Sequence, residues 1–371
     1  MNLRNLQIYR LPCNYSLTAE ALIEAITAQA FAPCTSHQAM SQGWVPPREN
    51  GPLVHVVNGQ MILRLQTQTK VLPGAVINAE VKKRAAVMEK AQNFAPGKKA
   101  LKELKENVTD ELMAKAFPKD SQTWVWIDRK NGWLVVDAAS ASKADDVIKL
   151  LLKAVDRMPL ESLRVQRSPV AAMTDWLNTD EAPAGFTLDT DATLRATGES
   201  KASITYKRHT LETDEMQRHI AAGKQCVRLA MTWESKISFV LTESLAIKSV
   251  KLLDVMTESD VSPRNEDERF DNNAMLITGE LAKLMAELVE ELGGFAAVDA
   301  TTDTASAAPA PADGVQDVVR KLHQIAAQGG ATMSLTVNGM PVVSGGAVSA
   351  MPLSGNRAPL APTSNANQKA A

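Results

Sequence analysis

Two Asn-Gly pairs constrain how the first half of this chain can fold. Asn58-Gly59 separates the runs LVHVV and QMILRLQ, and Asn131-Gly132 separates SQTWVWID from WLVVD. Asn-Gly suits a tight hairpin turn because the central positions need positive φ, so each pair predicts an antiparallel hairpin. Between the hairpins the pattern changes. Pro73 opens a helical stretch in the first turn, where its missing N–H is tolerated. Pro96-Gly97 then breaks the stretch, which predicts a helical hairpin over residues 73–118 rather than one rod. Residues 82 to 105 of this arm hold Lys82, Lys83, Arg84, Lys90, Lys98, Lys99, Lys102 and Lys105 against only Glu89 and Glu103. A cationic projection of this kind suits a polyanion, which releases counterions when its phosphates are neutralised. An ordinary solvated helix face is the plainer alternative.

The other elements follow from periodicity and punctuation. Residues 5 to 11 read as a strand, and Ser16 or Thr18 can cap a helix to about Phe31, with Leu22, Ile26 and Ala30 on one face. After the second hairpin, Ala144, Val147, Ile148, Leu151, Leu152 and Val155 form one helical stripe. From Pro159 the chain predicts a helix around MTDWL, a short strand near GFTLD and a basic strand, ASITYKRHTL. The helix TDEMQRHIAAGK ends at Gly223, and the strands QCVRLAMTW, KISFVL and IKSVKLL follow. A long helix carrying Ile277, Leu281, Leu284, Met285, Leu288 and Leu292 stops at Gly293-Gly294. The expected fold class is α+β: two α/β subdomains, 1–158 and 159–294, with β-hairpins and a projecting helical arm. Residues 295–371 are expected to be a largely disordered Ala/Pro-rich tail, with one short amphipathic helix around Val315, Val318, Val319 and Leu322.

Composition sets limits on function. At 371 residues and 45% hydrophobic, the chain can bury about two cores. The formal net charge is only −2, yet charge is unevenly placed: Asp254 to Glu291 is strongly acidic while the arm is basic. One surface for nucleic acid and another turned away from it, or two surfaces that attract each other, would explain that asymmetry. Cys13, Cys34 and Cys226 are scattered and lack CxxC spacing, which fits a reducing compartment and gives neither a disulfide framework nor a zinc site. MNLRNLQIYRL lacks the features of a signal peptide, and no run approaches the length of a membrane span, so a cytoplasmic protein is expected.

Asp128 and Asp137, with Asp145 and Asp146 nearby, could be nuclease carboxylates, which must converge to hold metal ions. Beside Asn131-Gly132 they read better as turn and cap residues. His37, His55, His209, His219 and His323 lack metal or triad spacing. No Walker loop or GxGxxG is present, so neither cofactor nor metal is expected. Trp124, Trp126 and Trp133 could stack bases, but alternation puts Trp124 and Trp126 on one sheet face and favours packing. Met275, Leu276 and Ile277 read as core or interface.

An ordered set of segments resembles the RdgC family of recombination-associated, nucleoid proteins. It comprises LQIYRL, GWVPP, HVVNGQ, KVLP, SQTWVWID, VDAASASKADD, MTDW, AAGKQ and RFDNNAMLITGELAKL, closing on LGG, and covers residues 1–294. The resemblance implies a non-catalytic protein that binds single- and double-stranded DNA with little sequence preference. It further implies an elongated crescent monomer, a ring-shaped homodimer around the DNA and antagonism of RecA. By position, the family's finger arm falls on 73–118 and its dimer gate on Phe117, which the gate reading puts at the tip of the projecting arm, a core anchor being the plainer alternative, with Lys115 before it. The basic strand that faces the hole falls on Lys207 and Arg208, with His209 beside them and Lys224 and Arg228 on the adjoining helix end and strand. Together with Lys98, Lys99, Lys102 and Lys105 of the arm, these are the expected DNA contacts. Pro96-Gly97 shortens or bends the arm relative to the family, and 295–371 lies beyond its usual end. A structure-specific nuclease, or a scaffold whose arm binds an acidic partner, are the alternatives.

Overall fold

The computed structural model describes residues 1–12, 15–253 and 265–296, together with the backbone of 335–337 and 340–343. Both expected hairpins form. Strand β3 (Val54–Val57) pairs with β4 (Gln60–Lys70) across Asn58-Gly59, whose φ angles are +48° and +76°. In the second hairpin, β5 (Pro118–Asp128) meets β6 (Trp133–Asp137) with Asp128 opposite Trp133, so the loop is the four residues that separate the two runs in sequence. Asp128 holds that loop: its carboxylate accepts the N–H groups of Lys130 and Asn131 and the Asn131 side-chain amide. A buried acid satisfied three times makes a stable Asx-type turn.

The strands join one twelve-stranded sheet whose main order is β2-β4-β5-β6-β1-β12-β11-β10-β8-β9, with β3 beside β4 and β7 beside β1. Here β1 is Leu6–Arg10, β2 Met40–Val45, β7 Glu161–Ser162, β8 Phe186–Ala196, β9 Ser203–Tyr206, β10 Lys224–Trp233, β11 Ile237–Thr242 and β12 Ile247–Leu252. Every strand pairing is antiparallel. The N-terminal strand is the seam. It pairs along its length with β6 and touches β12 through Leu6 opposite Ile247, so residues from either side of Pro159 share a sheet within one compact unit, Met1–Ala297.

Seven helices lie among the described residues, and five of them cover the sheet. Helix α1 (Ala19–Thr27), capped by the Thr18 hydroxyl, ends four residues earlier than the periodicity suggests, because Ala30 leaves it to bridge Trp44. With α4 (Ala141–Ala154) it packs on Leu63, Leu65, Val125, Ile127, Leu134 and Val136, one core on one face. Leu152, expected in the α4 stripe, is instead exposed. On the opposite face α5 (Pro169–Thr179), α6 (Thr213–Ala221) and α7 (Glu266–Glu291) bury the second core around Trp126, Trp133, Leu229, Met231, Trp233 and Phe239. Helix α7 ties both halves together. Its Asp271 carboxylate lies 2.7 Å from the buried His55 ring and 3.0 Å from Arg48, while Phe270 packs against His55 and Trp124.

The unit continues past Gly294. Phe295 bridges Val165 and stacks near Trp133, with the Arg10 guanidinium 4.0 Å from its ring, and the Ala296 N–H donates to Arg164. In the second unit, Val298–Ala371, Leu335–Val337 and Met340–Val343 form an antiparallel pair. Composition hid this pairing, although Asn338-Gly339 lies between the two runs in sequence. Cys13, the helix expected around Val315 and the disorder expected after 345 lie outside the described residues.

Candidate nucleic-acid interface

The arm leaves the sheet between β4 and β5. Helix α2 (Gly74–Gln92) and helix α3 (Lys98–Lys115) form the expected helical hairpin, with Pro73 at the N-cap rather than inside the first turn. Asn93, at φ +61°, ends α2 in the left-handed conformation that Asn tolerates. Almost nothing is buried: no residue of α2, and in α3 only Val108. The helices are held instead by charge. Arg84 meets Glu80 on its own helix and Glu111 of α3, each at 2.8 Å. The Arg84 hydrogen bond, with a second from Lys115, holds the Glu111 carboxyl down to about 2.

Pairing is confined to part of the arm. Lys102 lies 3.8 Å from Glu106 and Lys115 lies 3.1 Å from Glu111. Among the described residues Lys82, Lys83, Lys90, Lys98, Lys99 and Lys105 make no ion pair, and all six are exposed. Lys98 and Lys99 also occupy the first turn of α3, where no acid and no side-chain cap offset the positive end of the helix. Three of these six lysines, Lys90, Lys98 and Lys99, lie toward the free end of the hairpin, and Lys82, Lys83 and Lys105 lie midway along it.

Phe117 lies at the other end. It follows α3, its carbonyl accepts the Val71 N–H at 3.0 Å, and Pro118 begins β5 directly afterwards. That places it at the base of the arm, which corrects the expectation of a tip position. The ring is 84% exposed, so it is no core anchor; Met40, Val71 and Val76, each about half exposed, are the apolar residues of the same region. The tip is occupied by Phe94, 64% exposed, a residue that sequence reasoning passed over. Its position immediately before the Pro96-Gly97 break was the available signal.

At the far edge of the sheet, β9 stops at Tyr206. Lys207, Arg208 and His209 therefore lie in an exposed turn, not on the expected basic strand. Arg208 adopts φ +52°, which cannot continue a strand, and its N–H donates to the Asp191 carboxylate at 2.7 Å. Tyr206 anchors the turn: its hydroxyl donates to Glu215 at 2.7 Å, and burial with this bond pushes the phenol up to about 12. His209 and His219 lie against its ring.

Arg228 belongs to a surface that no single segment reveals. On β10, β11 and β12, one face carries Leu229, Met231, Trp233, Phe239, Leu241 and Ile247 into the core. Register places Arg228 opposite Thr242, Thr232 opposite Ser238, and Lys248 and Lys251 opposite Val240 and Ser238, all on the other face. Helices α1 and α4 cover that side only over the first half of the sheet; here Arg228 and Lys251 are exposed, while Ala230 and Thr242 are buried. Arg228, Lys248, Lys251 and the Glu243-paired Arg195 are thereby brought to one face. Lys224 is not: alternation puts it on the side of Cys226, and a bulge between Cys226 and Arg228 shifts the phase. The arm and the 207–209 turn are not adjacent either. The strands β6, β1, β12, β11, β10 and β8 separate β5 from β9, roughly 34 Å over the spacings between them at about 4.8 Å each.

The carboxylates weighed for catalysis are occupied. Asp128 is fully buried in its turn, and Asp137 accepts the N–H groups of Arg4 and Asn5. Among the described residues no group of three or more His, Cys, Asp or Glu side chains could hold a metal ion. Trp126 and Trp133 are buried, and Trp124 packs at the edge of the same core. Among the described residues no helix is long and apolar enough to cross a membrane.

Comparison with known proteins gives the same relatives for nearly all of the described fold. A family model described as "Putative exonuclease, RdgC" matches residues 1–295. The chain is 60% identical over 292 residues to the recombination-associated protein RdgC of Herminiimonas arsenicoxydans, covering 78% of this chain and 97% of that one. The counterpart from Janthinobacterium sp. (strain Marseille) is 58% identical over the same length, with 78% and 97% covered. That from Bordetella pertussis is 51% identical over 292 residues, with 78% and 98% covered. This chain belongs to the RdgC family.

Proposed function

We propose that the chain acts in recombination as a non-catalytic protein that binds single- and double-stranded DNA with little sequence preference. The observation that carries the reading is the distribution of unpaired cations. They lie on an exposed arm, in an exposed turn and on a partly exposed sheet face, on a chain whose net charge is only −2. Phosphate-directed contacts position a protein without reading bases, and they need mobile cations more than built pockets. Lys98, Lys99, Lys102, Lys105 and Lys115 would serve on the arm, with Lys207 and Arg208 in the turn and Arg228 on the sheet. Lys224 would contribute only from the opposite side of β10.

The finer reading is that two crescent-shaped copies close into a ring around the DNA. A two-fold ring requires self-complementary surfaces at both ends of the monomer. Phe117, exposed beside Val71, is suited to one of them, as a gate that opens for loading. Such a ring would associate with the nucleoid and oppose RecA by occupying the same DNA. A nuclease is the second reading, because the matching family model bears the word exonuclease. The turn role of Asp128 and the backbone bonds that Asp137 accepts from Arg4 and Asn5 count against those two acids as its centre.

A gel-shift titration with and without magnesium separates these readings. Intact, shifted DNA is expected, with log K falling steeply against log salt at about −0.9 per neutralised phosphate on duplex. Replacing Lys207 and Arg208 together by Glu should weaken unrelated duplexes of equal length alike. Magnesium-dependent products would favour the nuclease, and no shift at all would leave only a protein scaffold.

A further inference from the structure

Two phenylalanines stand exposed at opposite ends of the arm, and their surroundings differ. Phe117 at the base is tied through its carbonyl to the backbone of Val71, itself an exposed apolar residue. Phe94 lies at the tip, between the end of α2 at Gln92 and the start of α3 at Lys98, about 27 Å away if α3 rises 1.5 Å for each of its 18 residues. Around it in sequence are Lys90, Lys98 and Lys99, all exposed and, among the described residues, without ion pairs. The hairpin gains nothing from this ring by burial, since 64% of it faces solvent.

We propose that Phe94 is a base-stacking residue: the arm delivers its ring onto exposed bases while the flanking lysines hold the adjoining phosphates. The proposal rests on the DNA-binding reading above and adds a contact to the bases themselves. The charge around the ring decides between partners. Protein interfaces are depleted of lysine in their apolar centres, whereas single-strand binders combine cations with aromatic rings because every base offers a π-face. Stacking is indifferent to sequence, so it is compatible with non-specific binding. It favours strands whose bases are already unpaired, because a duplex must first be unstacked. The arm would therefore distinguish single strands, gaps and distorted duplex from regular duplex, which phosphate contacts alone do only weakly.

The test uses the full chain and its Phe94→Ala and Phe94→Trp variants. Affinity is measured by fluorescence anisotropy on a single strand and on its duplex. A second single strand carries 2-aminopurine, whose emission reports stacking. Phe94→Ala is expected to lose about 5- to 100-fold on the single strand, with a smaller loss on duplex, and to abolish the 2-aminopurine response. Phe94→Trp should retain both. The ring is exposed, so the variants should melt with the parent chain. If the parent binds and Phe94→Ala matches it in single-strand affinity and emission, the stacking proposal is wrong and the DNA-binding reading survives. If Phe94→Ala instead sediments as a lighter species, the ring is a subunit contact and the proposal is overturned. If the parent binds no DNA in any form, both readings fall together.

Discussion

The arm and helix α7 are both long helical structures, and they are stabilised by different physics. Helix α7 buries Ala274, Ile277, Leu281, Leu284, Met285 and Leu288, a stripe that the sheet covers, and an Asn265 side-chain cap starts it. The arm buries only Val108, starts both helices without a side-chain cap, and places lysines where the helix dipole disfavours them. A helix without an apolar face depends on intrinsic propensity and surface pairs, each worth only tenths of a kcal/mol. The arm thus gives up stability in exchange for an accessible, cationic surface. It should open locally long before the sheet unfolds.

Mutations can break the comparison directly. Leu281→Ala removes a fully buried side chain and should cost about 2–5 kcal/mol, with a marked fall in Tm. Leu101→Ala, on the arm and 36% exposed, should stay within about 0.5 kcal/mol. Equal losses in chemical denaturation would mean that the arm is part of the cooperative core. The C-terminal edge of the folded unit gives the next effect. A chain ending at Ala297 should melt like the full protein. One ending at Gly294 loses Phe295 from Arg10 and Trp133 and should be weaker by roughly 1–2 kcal/mol. Identical melts for the two truncations would show that the aromatic contact contributes nothing.

Local chemistry made the hairpins, the broken arm and the α7 stripe readable, because Asn-Gly, Pro-Gly and a 3.6-residue period act within a few residues. What depended on distant residues was not readable. The face of β10–β12 that carries Arg228 lies beyond α1 and α4, which stop at the first half of the sheet, and Lys248 and Lys251 join Arg228 only through strand register. Lys224 and Arg228 are four apart on one strand and would share a face, but for the bulge between Cys226 and Arg228. The turn role of Asp128, by contrast, was readable beside Asn131-Gly132, and its carboxylate closes the four-residue loop. Phe117 was placed at the right boundary and the wrong end: sequence located the end of a helix, but not which end of the hairpin meets the sheet.

Phe117→Ala sharpens that last point. With 84% of the residue exposed, the substitution should change stability by less than about 0.5 kcal/mol, far below the 3–5 kcal/mol typical of a core phenylalanine. If it serves as a gate between subunits, retention on circular DNA should fall more than binding to short linear duplexes, and dimer mass should become concentration-dependent. A large drop in Tm would restore a core role. An unchanged dimer with both DNA forms retained would end the gate reading while leaving DNA binding intact.

The smallest effect is a pH dependence confined to the arm. Glu111 is held down to about 2, first by the Arg84 hydrogen bond and then by Lys115, while Arg84 is raised by the same contacts. A carboxyl depressed in the folded state contributes stability above its ordinary pKa near 4.3, and that contribution fades as pH falls toward the folded value. The tie between α2 and α3 should therefore be complete at neutral pH and weaken between about pH 4.5 and 2. Both side chains are well exposed, so salt should screen the effect and the sheet should not register it. Amide exchange across 74–115, compared with the β10–β11 amides over that range, is the suitable measurement. Arm amides should lose protection first in the parent chain, and in Arg84→Gln they should already exchange faster at neutral pH with little further change on acidification. Protection in the arm that follows the sheet step for step at every pH would show that burial, rather than this ion pair, holds the two helices together.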